Sequence, residues 1–282
     1  SRGENHAVVI YGGGSTPSGR VVFPTGLRPS DVEVLDINND GFADFVVGND
    51  GSRDLSIFVN QGNRQFLALA PVRLPSLADS SMGLIALASG DINGDGAMDL
   101  AALQAGGSAG GVVTLLINVG GVGLAALRSL PVGQLAWGIA LGHLNADNFL
   151  DIATANRSDN TFSVLLSQPD GSYLRTDRNS GGVRATDVAT TDLNGDGFDD
   201  IIVTNEWIDA QTKTYGNVAS FLNDGNGNFG NAAFKHVRGR EIPRSVCAGD
   251  FDHDGLKDVA VASFRTGDIM ILFGAGNGAW RA

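Results

Sequence analysis

The chain has 282 residues, of which 43% are hydrophobic and 40 are glycine, and it carries a formal net charge of −12. That charge argues against nucleic acid as the main partner, because phosphate binding draws on an excess of lysine and arginine. No apolar stretch approaches the ~20 residues of a membrane-spanning helix, and a single cysteine, Cys247, excludes an internal disulfide.

In chain order, the N-terminal stretch AVVIYGGGSTPSGRVVFPTG reads as two β-branched strands around a glycine-rich turn. A repeated unit follows. A short apolar run (DVEVLD) enters an acidic loop, DINNDGFAD at 36–44, and a second apolar run (DFVVGN) leaves it. A third run (LSIFVN) ends at a glycine-rich turn, and a fourth (FLALAPVRL) completes the unit. The loop returns as DINGDGAMD at 91–99, HLNADNFLD at 143–151, DLNGDGFDD at 192–200 and DFDHDGLKD at 250–258, at spacings of 55, 52, 49 and 58 residues.

Four short antiparallel strands repeated every ~50 residues, with no sustained helical period, predict an all-β fold, a β-propeller of four-stranded blades. Residues 1–282 are expected to form a single propeller domain of five blades, with part of a six- or seven-bladed ring as the alternative. The strand near Arg20–Pro24 is expected to complete the last blade, leaving one strand near Val8–Tyr11 over. Bulky residues after the glycine-rich turns (Phe66, Leu124, Tyr173, Phe229, Trp280) should pack between blades, and Cys247, in SVCAGDF, should be a small core residue.

Carboxylates crowd together at a cost unless a cation sits among them. Oxygen side chains at loop positions 1, 3, 5 and 9, with a carbonyl at position 7, suit a hard cation taking six to eight oxygens, and calcium over magnesium because the set is large and irregular. Glycine at position 6 permits the turn that brings the ninth residue back. The twelfth position lacks the glutamate of an EF-hand, since Val47 and Ala102 stand there.

These loops, the four-strand unit and the ~50-residue period resemble the FG-GAP/VCBS repeat family, which includes the integrin α-chain propeller and many secreted bacterial proteins. The resemblance implies a calcium loop between the first and second strands of each blade. It carries over to Asp36, Asn38, Asp40, Phe42 and Asp44; to Asp91, Asn93, Asp95, Ala97 and Asp99; to Asp192, Asn194, Asp196, Phe198 and Asp200; and to Asp250, Asp252, Asp254, Leu256 and Asp258. The third copy keeps only Asn145, Asp147 and Asp151, with His143 and Asn148 replacing aspartate and glycine. About four calcium sites are therefore expected, with the third loop weak or empty. Its backbone turn is expected to survive, because asparagine tolerates a left-handed conformation.

Chain direction puts the acidic loops on one face and the non-repeating residues on the other. Those residues include Ser30, Ile85, Trp137, Thr186 and Arg244, each six positions before a loop, and Asp50, Arg53, Arg157, Asp159, Glu206, Trp207, Asp209 and Arg265 after the second strands. Trp137, Trp207, Glu206, Arg244 and Arg265 are the candidate ligand-binding residues, with the tryptophans suited to sugar stacking or a protein contact. The stretch KHVRGREIPR (Lys235, Arg238, Arg240, Arg244) reads as a charged edge strand, and Asn156, in a glycosylation sequon, as a structural strand-end residue.

The leading expectation is an extracellular, cell-surface or periplasmic module that binds a carbohydrate or protein. Two other readings stay open: a polysaccharide-active enzyme, for which no catalytic motif is visible, and self-association through an unfinished terminal blade.

Overall fold

The computed structural model describes residues 4–12, 19–76, 83–121, 123–209, 214–236 and 242–281. Every named element in it is a β-strand. A hairpin of β1 (His6–Tyr11) and β2 (Gly19–Pro24) precedes five antiparallel sheets. The first sheet holds β3 (Pro29–Leu35), β4 (Asp44–Asn49) and β5 (Asp54–Asn60), edged by two short pieces, β6 (Phe66–Ala68) and β7 (Val72–Arg73). The second runs β8 (Leu84–Gly90), β9 (Asp99–Gln104), β10 (Val112–Asn118) and β11 (Leu124–Pro131). The third runs β12 (Ala136–Gly142), β13 (Asp151–Asn156), β14 (Thr161–Ser167) and β15 (Tyr173–Asn179). The fourth runs β16 (Val183–Thr191), β17 (Asp200–Asp209), β18 (Thr214–Phe221) and β19 (Ala233–His236). The last holds β20 (Pro243–Gly249), β21 (Asp258–Ser263) and β22 (Ile269–Leu272).

The first strands of all five sheets line one axial channel of about 590 Å³, so the sheets are the blades of a five-bladed β-propeller. Apolar clusters join successive blades. Leu35, Val46 and Ile57 of the first pack on Leu84, Leu87 and Leu100 of the second. Similar layers join the second to the third, the third to the fourth and the fourth to the fifth. The bulky turn residues take the expected places: Leu124, Tyr173, Phe229 and Trp280 each enter the cluster shared with the preceding blade.

Two expectations need correction. Among the described residues, strand β2 pairs with β1 and not with the last blade. The hairpin instead covers the outer side of the first blade, where Phe23 meets Phe45, Phe58 and Phe66 at 5.2 Å between ring centroids. Those rings anchor it where a neighbouring blade would otherwise pack. Cys247 is exposed rather than buried. Alternation along β20 sends Val246 and Ala248 into the core and Cys247 to the opposite side, where Ile269 and Ile271 of the same blade are also exposed.

A carboxylate brace recurs in every blade. The ninth loop residue is Asp44, Asp99, Asp151, Asp200 or Asp258, and each is fully buried. One carboxylate oxygen accepts the backbone N–H of the second loop residue (Ile37, Ile92, Leu144, Leu193, Phe251) at 2.8–3.1 Å. The other accepts an N–H at the end of the third strand (Asn60, Asn118, Ser167, Asn223, Gly274) at 2.6–2.8 Å. Two of those strand ends also reach the preceding blade. Asn118 Nδ2 donates to the Ile37 carbonyl at 2.7 Å, and Asn223 Nδ2 to that of Leu144 at 2.8 Å.

Removing such a brace strands two buried N–H groups, each costing about 1–3 kcal/mol. Asp99→Ala is therefore expected to lower unfolding free energy by about 2–4 kcal/mol in chelator, measured by urea titration. The exposed Asp95→Ala variant should stay close to the parent under the same conditions.

Candidate functional site

Loops 36–44, 91–99, 192–200 and 250–258 share one wrapping. The first aspartate accepts the N–H groups of residues five and six: Asp36 from Asp40 and Gly41 at 3.2 and 2.8 Å, Asp91 from Asp95 and Gly96 at 3.0 and 2.8 Å. Asp192 and Asp250 do the same. Positions 4 and 6 take positive φ in all four copies, at Asn39 and Gly41 in the first and at His253 and Gly255 in the last. This curvature gathers the side-chain oxygens: one oxygen each from Asp250, Asp252 and Asp254 lies within 4.8 Å of the others. An all-oxygen donor set at that separation fits a hard divalent cation. Arg281 places its guanidinium on Asp252, at 3.2 Å, and on Asp254.

The ninth aspartates sit beneath these loops as braces, and burial raises the pKa of Asp44 and Asp99 and pushes Asp200 to about 6. The seventh residue of the fourth loop has a packing role. Phe198 lies over Gly225 of its blade's last turn, where a Cβ would stand 2.7 Å from the ring and φ is +79°.

The third loop departs further than its sequence implies. Neither Ala146 nor Asn148 adopts positive φ, so the expected survival of the turn fails. His143 offers no carboxylate to the N–H groups that would wind the loop. Its own N–H instead donates to Asp199 Oδ2 of the next loop at 2.9 Å, and its carbonyl accepts the Asp199 N–H at 3.0 Å.

On the opposite face, the five first strands carry a β-bulge at one shared place. The extra residue is Ser30, Ile85, Trp137, Thr186 or Arg244, the position six before each loop. A bulge leaves its extra residue outside the pairing and re-aims its side chain. Ser30 turns back onto the Gly48 carbonyl of its own blade at 3.1 Å, whereas Thr186 lies 3.2 Å from the Thr204 carbonyl of its blade and 2.9 Å from the Pro243 carbonyl of the next. Trp137 and Arg244 line the axial channel.

Around them gathers a group of arginines. Arg157 stacks on the Trp137 ring at 4.4 Å and Arg244 lies 5.0 Å from the same ring, while Arg184 covers Trp207 at 4.2 Å. Glu206, only 5% exposed, accepts Arg157 Nη2 on Oε2 at 2.7 Å and holds Arg184 Nη1 3.6 Å from Oε1. Burial lowers the pKa of Arg244; Glu206 opposes the shift, and Arg157 and Arg184 add to it.

Four of the five expected ligand residues thus meet here. Arg265 is exposed in the turn after β21. Sequence reasoning missed Arg184, and it left Arg157 among the face residues. The signal for Arg184 was weak: it precedes the bulge of β16 at φ +59°, its N–H held by Asn160 Oδ1 at 2.7 Å. Arg238 and Arg240 lie outside the described residues, as do the side chains of Ile85, Asp209 and Lys235. Asn156 is fully buried, and its Nδ2 donates to Thr161 and Ser163 hydroxyls at 3.0 and 2.8 Å, so the sequon is structural.

Deeper in the channel stand Asp31 and Asp187, each just after its bulge. Asp31 accepts the Leu87 N–H of the next blade at 2.7 Å and Asp187 that of Val246 at 3.0 Å. Gly138 makes room for Asp187, since a Cβ there would lie 2.4 Å from its Oδ1. Burial pushes the Asp187 carboxyl up to about 6, and the Asp31 charge adds to the shift.

A profile of the FG-GAP-like repeat matches residues 36–102, 143–203 and 206–261, well over half of the chain. The chain belongs to the FG-GAP-like repeat family. Among FG-GAP relatives, integrin alpha-6 of Gallus gallus is 33% identical over 153 residues, 49% of this chain. Integrin alpha-4 of Xenopus laevis is 27% identical over 147 residues, 48% of this chain. The match spans 14% of the length of each integrin. A crystal structure of a protein from Lactobacillus plantarum shares the fold with a TM-score of 0.67 at 13% identity, covering 94% of this chain and 72% of that one. A protein from Desulfotomaculum acetoxidans does so at 0.62 and 15%, covering 98% and 78%.

Asp187 makes the fold pH-dependent with a definite sign. Its native pKa lies above the unfolded value, so the native state binds the extra proton between about pH 4 and 6. Stability from this group falls as pH rises through that window. Asp187→Asn should flatten the fall and give a higher melting temperature than the parent at pH 7, read by thermal melts across pH.

Proposed function

We propose that this chain is a calcium-stabilised binding propeller that engages a protein ligand outside the cell, through the face opposite its acidic loops. One observation carries the reading. The bulges deliver non-repeating side chains, Trp137 and Arg244 among them, to the mouth of the axis from a scaffold that otherwise repeats. Variation on a regular framework is where recognition is built. The resemblance to integrin alpha chains supports a protein ligand and an extracellular setting. A carbohydrate ligand receives less support, because guanidinium groups already cover the rings of Trp137 and Trp207.

In this reading the side chains at loop positions 1, 3, 5 and 9, with the carbonyls of Phe42, Ala97, Phe198 and Leu256, would hold calcium. The ion supplies positive charge among clustered carboxylates and locks the loop to its blade. It performs no chemistry. The third loop, with neither the first carboxylate nor the wrapped backbone, holds it weakly or not at all.

A second reading, self-association, is favoured by the last blade alone. Strand β22 has no outer partner among the described residues, and Ile269 is 72% exposed on the same sheet. Sizing of dilute protein separates it from the first.

Calorimetric titration should find about four calcium ions per chain, one for each intact loop, and chelator should lower the melting temperature. At ~100-fold saturation a site adds about 2.7 kcal/mol. Asp95→Ala should remove one ion from the stoichiometry, and Asp147→Ala none. On an array of immobilised extracellular proteins, the calcium-loaded chain should retain at least one partner and the chelated chain lose it. A chain that takes up no calcium and melts alike with and without chelator would refute the metal assignment.

A further inference from the structure

The arginine cluster at the channel mouth has more positive charge than its own carboxylate can neutralise. Arg157, Arg184 and Arg244 surround Glu206, and Glu206 gives one oxygen to Arg157 and the other to Arg184. Arg244 has aromatic contacts with Trp137 and Phe264 but no ion pair among the described residues. Among these four groups the balance is three positive charges against one negative, and the channel carboxylates Asp31 and Asp187 are each committed to a backbone N–H of the next blade.

The cluster also holds donors without acceptors. Arg157 Nε and Trp137 Nε1 are buried and make no hydrogen bond among the described residues. A buried N–H left unpaired costs about 1–3 kcal/mol, and both orphans are donors in contacting side chains, so the missing partner is an acceptor. Stacking on indole faces keeps guanidinium planes in place without consuming their N–H edges. Pre-set forks with spare donors are suited to a carboxylate, which they grip with two parallel bonds.

Net charge narrows the ligand. A chain whose −12 exceeds the charge of its proposed calcium ions stays net negative and disfavours a long polyanion, and salt screens charges beyond roughly 8–10 Å. The local excess therefore serves one compact anionic group. Resting on the protein-ligand reading above, we propose that this mouth is a receptor for an aspartate or glutamate side chain of the ligand, held by Arg157, Arg184 and Arg244 beside Trp137. Glu206 then has two roles: it positions Arg157 and Arg184, and it competes with the incoming carboxylate.

The competition makes a test that a purely structural cluster would fail. The probes are a fluorescein-labelled Gly-Ser peptide carrying one Asp-Asp pair and its Asn-Asn counterpart, read by anisotropy on the calcium-loaded chain. The Asp peptide should bind at least about tenfold more tightly than the Asn peptide, with the difference shrinking at high salt. Arg244→Ala should remove about tenfold while leaving the melting temperature near the parent's, and Glu206→Gln should tighten binding. Should Glu206→Gln not fold, Arg184→Ala, which removes a half-exposed side chain, takes its place and should weaken binding by a similar factor. Equal binding of the two peptides, or an Arg244→Ala variant as good as the parent, overturns the proposal. A sulfated oligosaccharide that displaces the Asp peptide and binds more tightly, in an Arg244-dependent way, overturns the assignment to a protein carboxylate. Failure of both peptides while the protein array still yields a partner overturns the carboxylate receptor alone; failure of the array as well removes the binding reading with it.

Discussion

The buried ninth aspartate is the contact on which each blade depends. It sits where the acidic loop runs into the second strand, and it ties the loop's second N–H to the far end of the third strand. Three chain segments are thereby clamped at one point by a group that must be desolvated to do it. Two N–H donors offset much of that cost, which is why the residue stays an acceptor at zero exposure in all five blades. A cation held above the clamp would act on an already ordered loop. The first aspartates of four loops show the same economy, since their oxygens wind the turn through backbone N–H groups.

The two faces follow from opposite uses of the same strands. At the loop end, tight turns and buried carboxylates demand particular residues, so the pattern repeats. At the other end a bulge interrupts the pairing of the first strand, and the register resumes one residue later. Repetition on one face and variety on the other thus have a common origin in how the first two strands pair. The channel between them is lined by carboxylates that bond across to the next blade, Asp31 to Leu87 and Asp187 to Val246, so the axis is itself part of the blade-to-blade adhesion.

Much of this was legible in the residues alone. Loop spacing announced the blades, and the bulky residue after each glycine-rich turn announced the packing between them. The position six before each loop was marked as variable, although nothing in the letters told that it bulges. The failures have physical causes. Cys247 looked like core because its neighbours are apolar, yet alternation within a strand divides neighbours between two sides. The third loop looked salvageable because asparagine tolerates a left-handed turn, but the turn is wound by a carboxylate that His143 does not supply. Arg184 and Arg157 joined the site through stacking on tryptophans from other strands, a juxtaposition that only three dimensions display. The ninth aspartates, expected from sequence as ligand oxygens, also brace the blade, a role residue type could not reveal because it shows an oxygen but not which N–H groups point at it.

The shared bulge has a consequence for protein engineering. Serine, isoleucine, tryptophan, threonine and arginine occupy equivalent sites in one molecule, so the backbone already hosts small, branched, aromatic and charged side chains there without slipping. The ring is therefore a natural combinatorial library of five addressable sockets around one axis. Randomising those sockets while retaining the aspartate clamps would vary specificity independently of foldability, a separation that antibody designers obtain with loops and that this chain builds into its strands.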